Sequence, residues 1–350
     1  MNCYYPLPEW YPQSATLLVW PHDYTDWSTM LDGINLTYVN LVKAIIKYQK
    51  VIVAYYNEEH KAEIIDLFQQ HQCDLQQVIF IGIETNDTWV RDYGPQILYG
   101  ATGFQYVDYE FNAWGEQYPC RLDNLFAEEF YSLIDNQRCE YYRSPIVIEG
   151  GNLEFNSQAH LLTNLACIKR NIPNLTLTNE AIINKLSEEF SVKHVLPIDV
   201  PPLKGDDTGG HIDTLARFTD DDTIVFSSTQ DENNPNHACL MLLKSQLSAL
   251  RNKHGKPYKL IPIPLPKNTL FDEDDNYLPA NYVNFIFVNN AVIVPLHHDE
   301  HDQIAIDRLA RACPNRKIIG VYANTLLQQF GSLHCATLHI PEKVLKEGIQ

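Results

Sequence analysis

The chain has 350 residues, 45% of them apolar, which is enough for a large buried core, and a formal charge of −18 from 26 basic and 44 acidic side chains. That balance disfavours nucleic acid and anionic membrane as partners and favours a small cation, whose arrival a negative field speeds. No apolar run is long enough to cross a bilayer, and the start Met1-Asn2-Cys3-Tyr4-Tyr5-Pro6 has neither a basic nor an apolar leader segment, so a cytoplasmic location is expected.

In chain order, short apolar runs rich in β-branched and aromatic residues predict strands over 15–20, 50–55, 78–83, 96–99, 159–163, 194–198, 223–227, 258–263, 283–288, 291–295, 317–321 and 335–340. Helical spacing lies between them at 58–71, 179–190, 240–251 and 302–313, and Thr178 reads as the N-cap of the second, ahead of Glu180 in its first turn. Pro201-Pro202, the stretch from Pro257 to Pro266 and residues 272–275 read as surface loops. Strands and helices mixed along the whole length give an α/β class, and with no Gly-, Ser- or Pro-rich linker a single domain over 1–350 is expected. Eight cysteines without a CxxC pair fit a reduced compartment.

Four glycine-punctuated motifs stand out: Asn86-Asp87-Thr88-Trp89-Val90-Arg91-Asp92-Tyr93-Gly94-Pro95, Ile148-Glu149-Gly150-Gly151-Asn152, Gly209-Gly210-His211-Ile212-Asp213-Thr214 and Gly331-Ser332-Leu333-His334-Cys335-Ala336-Thr337. A thiol with a histidine is a nucleophile with its proton carrier. Three carboxylates around that pair exceed what a proton relay needs and suit a delocalised cation such as a guanidinium, gripped by paired N–H to O⁻ hydrogen bonds. On the residues alone Cys335 reads equally as a structural thiol of a buried strand, and His211 with Asp213 as a solvent-facing pair. Were the segments extended, His334 would look away from Cys335 and Arg91 away from Asp92, while His211 and Asp213, two apart, would share a face.

These motifs, with Pro8-Glu9-Trp10, Val19-Trp20-Pro21-His22, Asp26-Trp27 and Phe111-Asn112-Ala113-Trp114-Gly115, resemble the agmatine deiminase family of the guanidine-modifying pentein superfamily, from about Leu7 to Pro341. That family also includes bacterial peptidyl-arginine deiminases. The resemblance implies a five-fold pseudo-symmetric α/β propeller of ββαβ-type units that hydrolyses agmatine to N-carbamoylputrescine and ammonia through an amidino-cysteine, serves polyamine metabolism and forms homo-oligomers. It makes Cys335 the nucleophile, His211 the general acid and base, Asp92 and Asp213 the guanidinium grips, and Glu149 the partner of His211 or of the substrate. At Gln329-Phe330-Gly331-Ser332-Leu333 the chain departs from the commoner pattern, which carries more glycines and an asparagine; Phe330 and Leu333 are expected to narrow or stiffen the nucleophile's turn.

Trp89 and Trp114 are read as core or as pocket walls for a cation, and Asp87 and Asp207 as turn caps. His297-His298-Asp299-Glu300-His301 lacks metal-site spacing and precedes a helix, and Gly205-Asp206-Asp207-Thr208-Gly209-Gly210 has two acids and no lysine, so no metal and no nucleotide cofactor are expected. Agmatine is expected over arginine, because the motifs offer no basic partner for an α-carboxylate. The competing functions are a deiminase of peptidyl-arginine, an amidinotransferase, and a polyamine-binding protein that leaves Cys335 and His211 without a task.

Overall fold

Among the residues described by the computed structural model, 4–172 and 175–349, the strands form five separate small sheets. The start Met1-Asn2-Cys3 lies outside them. Each sheet repeats one plan: an antiparallel pair, a helical crossover, and a strand parallel to the second member of the pair. Ala216–Phe218 pairs antiparallel with Thr223–Ser228, the chain crosses through helix His237–Ala249, and Lys259–Pro264 returns parallel. Ile286–Val288, Ala291–Leu296, helix Asp302–Ala312 and Lys317–Tyr322 do the same. So do Glu154–Phe155, His160–Asn164 and His194–Ile198, and likewise Gln96–Gly100, Gly103–Glu110 and Cys139–Val147. The last unit joins distant parts of the chain: Thr337–Pro341 pairs antiparallel with Gln13–Val19, whose parallel neighbour Lys50–Tyr55 follows helix Leu31–Ile45.

The helices lie where amphipathic spacing predicts, at Glu58–Gln70, Asn179–Glu189, His237–Ala249 and Asp302–Ala312, and the Thr178 side chain accepts from Ala181 N–H as an N-cap. Helix Leu31–Ile45 escapes sequence reading because Met30 makes no side-chain cap and Gly33 interrupts the pattern; burial of Ile34, Tyr38, Leu41, Val42 and Ile45 stabilises it instead. Three expectations are corrected. Residues 259–264 are strand, as the 258–263 run predicts, so the loop reading of the stretch from Pro257 to Pro266 gives way there. The 283–288 run is extended only from Ile286. The terminal strand begins at Thr337, after a helical turn in which Ala336 N–H donates to Ser332 O, so Cys335 is not in a strand at all.

A short turn leads into the first strand of every unit, and these five turns meet. Beneath them lies a buried lattice of charge. The fully buried Arg217 donates from Nε to Glu154 Oε2 at 2.6 Å, from Nη2 to Glu9 Oε2 at 2.8 Å and from Nη1 to Phe285 O at 2.8 Å. Glu9 also accepts from Phe287 N–H at 2.8 Å, which ties the amino-terminal segment to the fourth unit. Such groups contribute little net stability when paired, yet stripping one partner costs about 3 to 5 kcal/mol. Among the described residues no helix is long and apolar enough to cross a membrane.

Candidate active site

Asp92 is carried by the helical turn Val90–Tyr93, Glu149 precedes the 3₁₀ turn Gly150–Asn152, His211 caps the turn Ile212–Leu215 that holds Asp213, and Cys335 occupies the turn before Thr337. None of the five is more than 7% exposed. Their meeting point is Gly151: a methyl carbon there would lie 2.5 Å from His211 Nδ1, 2.7 Å from Asp92 Oδ1 and 3.2 Å from Asp213 Oδ2. Only glycine leaves that space open.

His211 Nε2 lies 2.7 Å from Glu149 Oε2 and its Nδ1 3.6 Å from Asp92 Oδ1. Burial opposes a charge on this ring, but Asp92, Cys167 and the Glu149 hydrogen bond hold it well above the ordinary imidazole range. Burial lifts Asp92 to about 6, against the pull of His211 and with the push of Asp213 and Glu149; its Oδ1 accepts from Gly151 N–H at 2.8 Å and its Oδ2 from Trp114 Nε1 at 3.0 Å. Trp114 reaches it from a left-handed turn, φ 55°, the strained geometry that aims the indole inward. Cys335 donates to Asp213 Oδ2 at 3.7 Å, and burial with the charges of Asp213 and Asp92 pushes the thiol well above its usual range. His211 Nδ1 and Asp213 Oδ1 are both buried with no hydrogen-bond partner among the described residues. Two unused polar atoms near a thiol mark a place for a ligand: Asp213 Oδ1 accepts from donors the ligand brings, and His211 Nδ1, on a ring held charged, has a proton to give.

Sequence reading misplaced His334 and missed Asn284. In the helical turn neighbouring side chains are not opposed, and His334 turns inward, its Nδ1 2.7 Å from Asp213 Oδ2 and its Nε2 2.6 Å from Glu9 Oε2. Arg91 does turn away from the cleft, although its backbone is helical, to Glu9 Oε2 at 3.6 Å and His334 O at 3.3 Å. Asn284, from the turn leading the fourth unit, donates Nδ2–H to Cys335 Sγ at 3.2 Å and accepts at Oδ1 from His334 N–H at 2.9 Å and Cys335 N–H at 3.3 Å. Asn171 Nδ2 holds Glu149 at 3.1 and 2.8 Å. Trp89 is buried beneath Gly331, where any side chain would run into its ring, and Phe330 stands at φ 62°, a left-handed position that costs a non-glycine residue about 1 to 2 kcal/mol.

Glu149, Cys167 and His211 place metal-capable atoms within 4.8 Å of one another. The His211–Glu149 separation of 2.7 Å is that of a hydrogen bond, shorter than the ~3.3 Å between two ligands each about 2.0 Å from a tetrahedral zinc, so the trio is hydrogen-bonded rather than a metal cage. His297 is spent on Asn281 O, and Asp302 accepts from His297 N–H and Asp299 N–H at the start of its helix.

The family model for the Porphyromonas-type peptidyl-arginine deiminases matches residues 5–341. The chain belongs to that family. It is 34% identical to a C. jejuni agmatine deiminase solved as a cysteine-to-serine variant with substrate bound, over 99% of this chain and 98% of that one, with TM-score 0.88. It is equally 34% identical to a Porphyromonas gingivalis protein provisionally named an arginine deiminase, over 98% and 100%, with TM-score 0.88. An Enterococcus faecalis agmatine deiminase, 24% identical over 97% and 96%, shares the fold with TM-score 0.83.

The names of these similar proteins thus divide between agmatine and arginine. At the rim Tyr118 donates to Asp207 Oδ2 at 3.4 Å and stacks edge-on against Trp114 at 5.6 Å. Asp87 and Asp207, half-buried, are each lifted to about 7, by burial first and then by neighbouring charge, Asp26 and Asp207 acting on Asp87 and Asp206 on Asp207. Neither is the plain turn cap expected from sequence: Asp206 takes that task, accepting from Thr208 N–H and Oγ1–H, while Asp87 reaches only its neighbour Thr88.

Proposed function

We propose that the chain hydrolyses the guanidinium of agmatine to N-carbamoylputrescine and ammonia. The carrying observation is the meeting of His211 Nδ1, Asp92 Oδ1 and Asp213 Oδ2 around the space Gly151 leaves, with the Cys335 thiol on Asp213 Oδ2 and with His211 Nδ1 and Asp213 Oδ1 left without partners among the described residues. Asp92 and Asp213 grip the guanidinium nitrogens from the two sides. The arriving cation offsets the negative charge that keeps the thiol protonated, so the thiol gives its proton up to water, His211 keeps its own, and thiolate forms where it is needed. Its sulfur bonds to the guanidinium carbon, His211 gives a proton to the departing nitrogen, and the C–N bond breaks to release ammonia. Water then adds to the amidino-thioether, His211 takes its proton, and the C–S bond breaks to return the thiolate and the ureido product. Glu149, oriented by Asn171, holds His211 in place, and Asn284 donates to the sulfur.

The substrate reading rests on the rim. Asp87 and Asp207, near Asp26, are carboxylates with no cation in hydrogen-bond reach, and a terminal ammonium relieves their mutual repulsion. An α-carboxylate meets the opposite field. Arg170, exposed with its stem alongside Gly209, is the cation such a group would seek, which makes arginine a fair competitor. The same reading takes the five repeated sheets as blades of one pseudo-symmetric propeller, the whole chain as one catalytic domain, the location as cytoplasmic and the pathway as either polyamine synthesis or agmatine catabolism.

Ammonia release from agmatine, free arginine and an arginyl peptide tests it. Agmatine is expected to lead in kcat/KM by a factor on the order of 10² or more, the scale of a charge left unpaired. Comparable values for arginine would overturn the substrate and leave the guanidine chemistry. Amidino transfer to an added amine without ammonia would replace hydrolysis by transfer.

A further inference from the structure

His334 and Glu9 take no part in the steps above, yet they sit one hydrogen bond from the clamp. Both are buried, His334 at 1% and Glu9 at 7% exposure, and the ring is held end to end, 2.7 Å from Asp213 Oδ2 and 2.6 Å from Glu9 Oε2. A carboxylate only accepts, so two carboxylates on one ring require a proton on each nitrogen. Glu9 is fixed in turn, by Arg217 at 2.8 Å, Arg91 at 3.6 Å and Phe287 N–H at 2.8 Å. Asp213 is thereby held through Oδ2, the oxygen that also meets the Cys335 thiol, while Oδ1 is buried without a hydrogen-bond partner among the described residues.

We propose that His334, held as a cation between Glu9 and Asp213, is a positioning residue for the guanidinium clamp: it fixes Asp213 through Oδ2 and presents Oδ1 to the substrate, with Glu9 as its anchor. This rests on the deiminase reading. The charges around the pair agree with it. Asp213 also faces His211, Arg217, Arg91, Asp92 and the Cys335 thiol, and lies within the field of Asp206. On its other side His334 faces Glu9, Glu154 and His339. Burial alone would raise Asp213, and it is the hydrogen bond and charge of His334, then His211 and Arg217, that hold it below the ordinary carboxylate range. Glu9 is held well below that range in the same way, against burial, by Arg217, His334 and Arg91. A carboxylate so depressed grips a cation down to low pH. With the cation of His334 gone, burial governs, and the grip is lost as pH falls through a higher value.

The test compares wild type with His334→Asn and His334→Gln, which preserve an amide donor without the charge, measuring kcat/KM for agmatine from about pH 5.5 to about pH 9 with the melting temperature recorded alongside. The acid limb is expected to move up by about one unit or more and to steepen, with a loss of about 100-fold near pH 6 that shrinks to about 10-fold or less above pH 8, mostly in KM. A loss by one factor at every pH, or an unchanged profile, would overturn the proposal. Nitrogen NMR of histidine-labelled protein reads the ring without turnover: protons on both His334 nitrogens, one lost in Asp213→Asn, support it, and a neutral ring in wild type refutes it. If wild type released no ammonia from any guanidine, the functional reading would fail, and guanidinium affinity of the same variants by calorimetry, with the same pH criterion, would decide this one.

Discussion

The floor of the cleft and its rim are both acidic, but they are built differently. On the floor every functional side chain hangs from a tight turn that leads directly into a strand and is tied to another turn: Asp92 to Gly151, Glu149 to His211, Asp213 to His334, Cys335 to Asn284. Environments there push groups apart in opposite directions, Asp213 down, Asp92 up to about 6, His211 and the thiol well up. At the rim, Asp87 and Asp207 share nearly the same setting and are both lifted to about 7, while Asp26 and Tyr118 are exposed. Divergent environments assign different tasks to like residues, whereas similar ones make a field. On the proposed function, chemistry therefore belongs to the floor and substrate choice to the rim.

The sharpest way to break that division is to remove the nucleophile. Cys335→Ala is expected to lower kcat by a factor on the order of 10⁴ or more while agmatine still binds in calorimetry, since the carboxylates remain. Ammonia release near the wild-type rate from a pure preparation would take Cys335 out of the reaction. A smaller effect is expected from Asn284→Ala, which deletes a donor to the sulfur: a drop in kcat of about 10- to 100-fold, matching about 1.5 to 3 kcal/mol for a hydrogen bond to a charged group, with KM little changed. A rise in KM alone would move Asn284 from the sulfur to the substrate. Least in size but most telling for the rim is Asp207→Asn. A carboxyl lifted to about 7 is ionised above that pH and protonated below it. The variant should therefore raise KM for agmatine about 10-fold above pH 8, match wild type below about pH 6, and leave kcat alone. An equal effect at both ends of the range would show that its charge plays no part.

What sequence shows of this molecule follows from how far each signal reaches. Helices with a regular apolar stripe and strands of continuous β-branched residues, such as Lys50–Tyr55 and His194–Ile198, are legible because their burial is encoded locally. Gly103–Glu110 and Cys139–Val147 are not, because they mix charged and aromatic residues while pairing with each other. The motif residues of the floor stand out because glycines bracket them. Asn284 has no glycine beside it, and its place becomes evident only when the five units are laid side by side and the fourth leading turn is seen to owe the site a residue. His334 was judged by strand alternation, which fails inside a helical turn. Glu9 lies in a motif yet acts through a ring more than 300 positions away, a relation no local pattern carries.

The closing unit has a consequence for how the protein comes into being. Gln13–Val19 finds its antiparallel partner in Thr337–Pro341, and Ser14 Oγ–H donates to Pro341 O across 327 positions. On the ribosome Gln13–Val19 waits with one edge bare until Thr337–Pro341 has emerged, and Cys335 sits two residues before the strand that seals it. Closure and competence thus come together: no nascent fragment short of position 335 holds this thiol, and the step that covers the open edge, guarding it from pairing with another chain, is the step that brings the sulfur to the cleft.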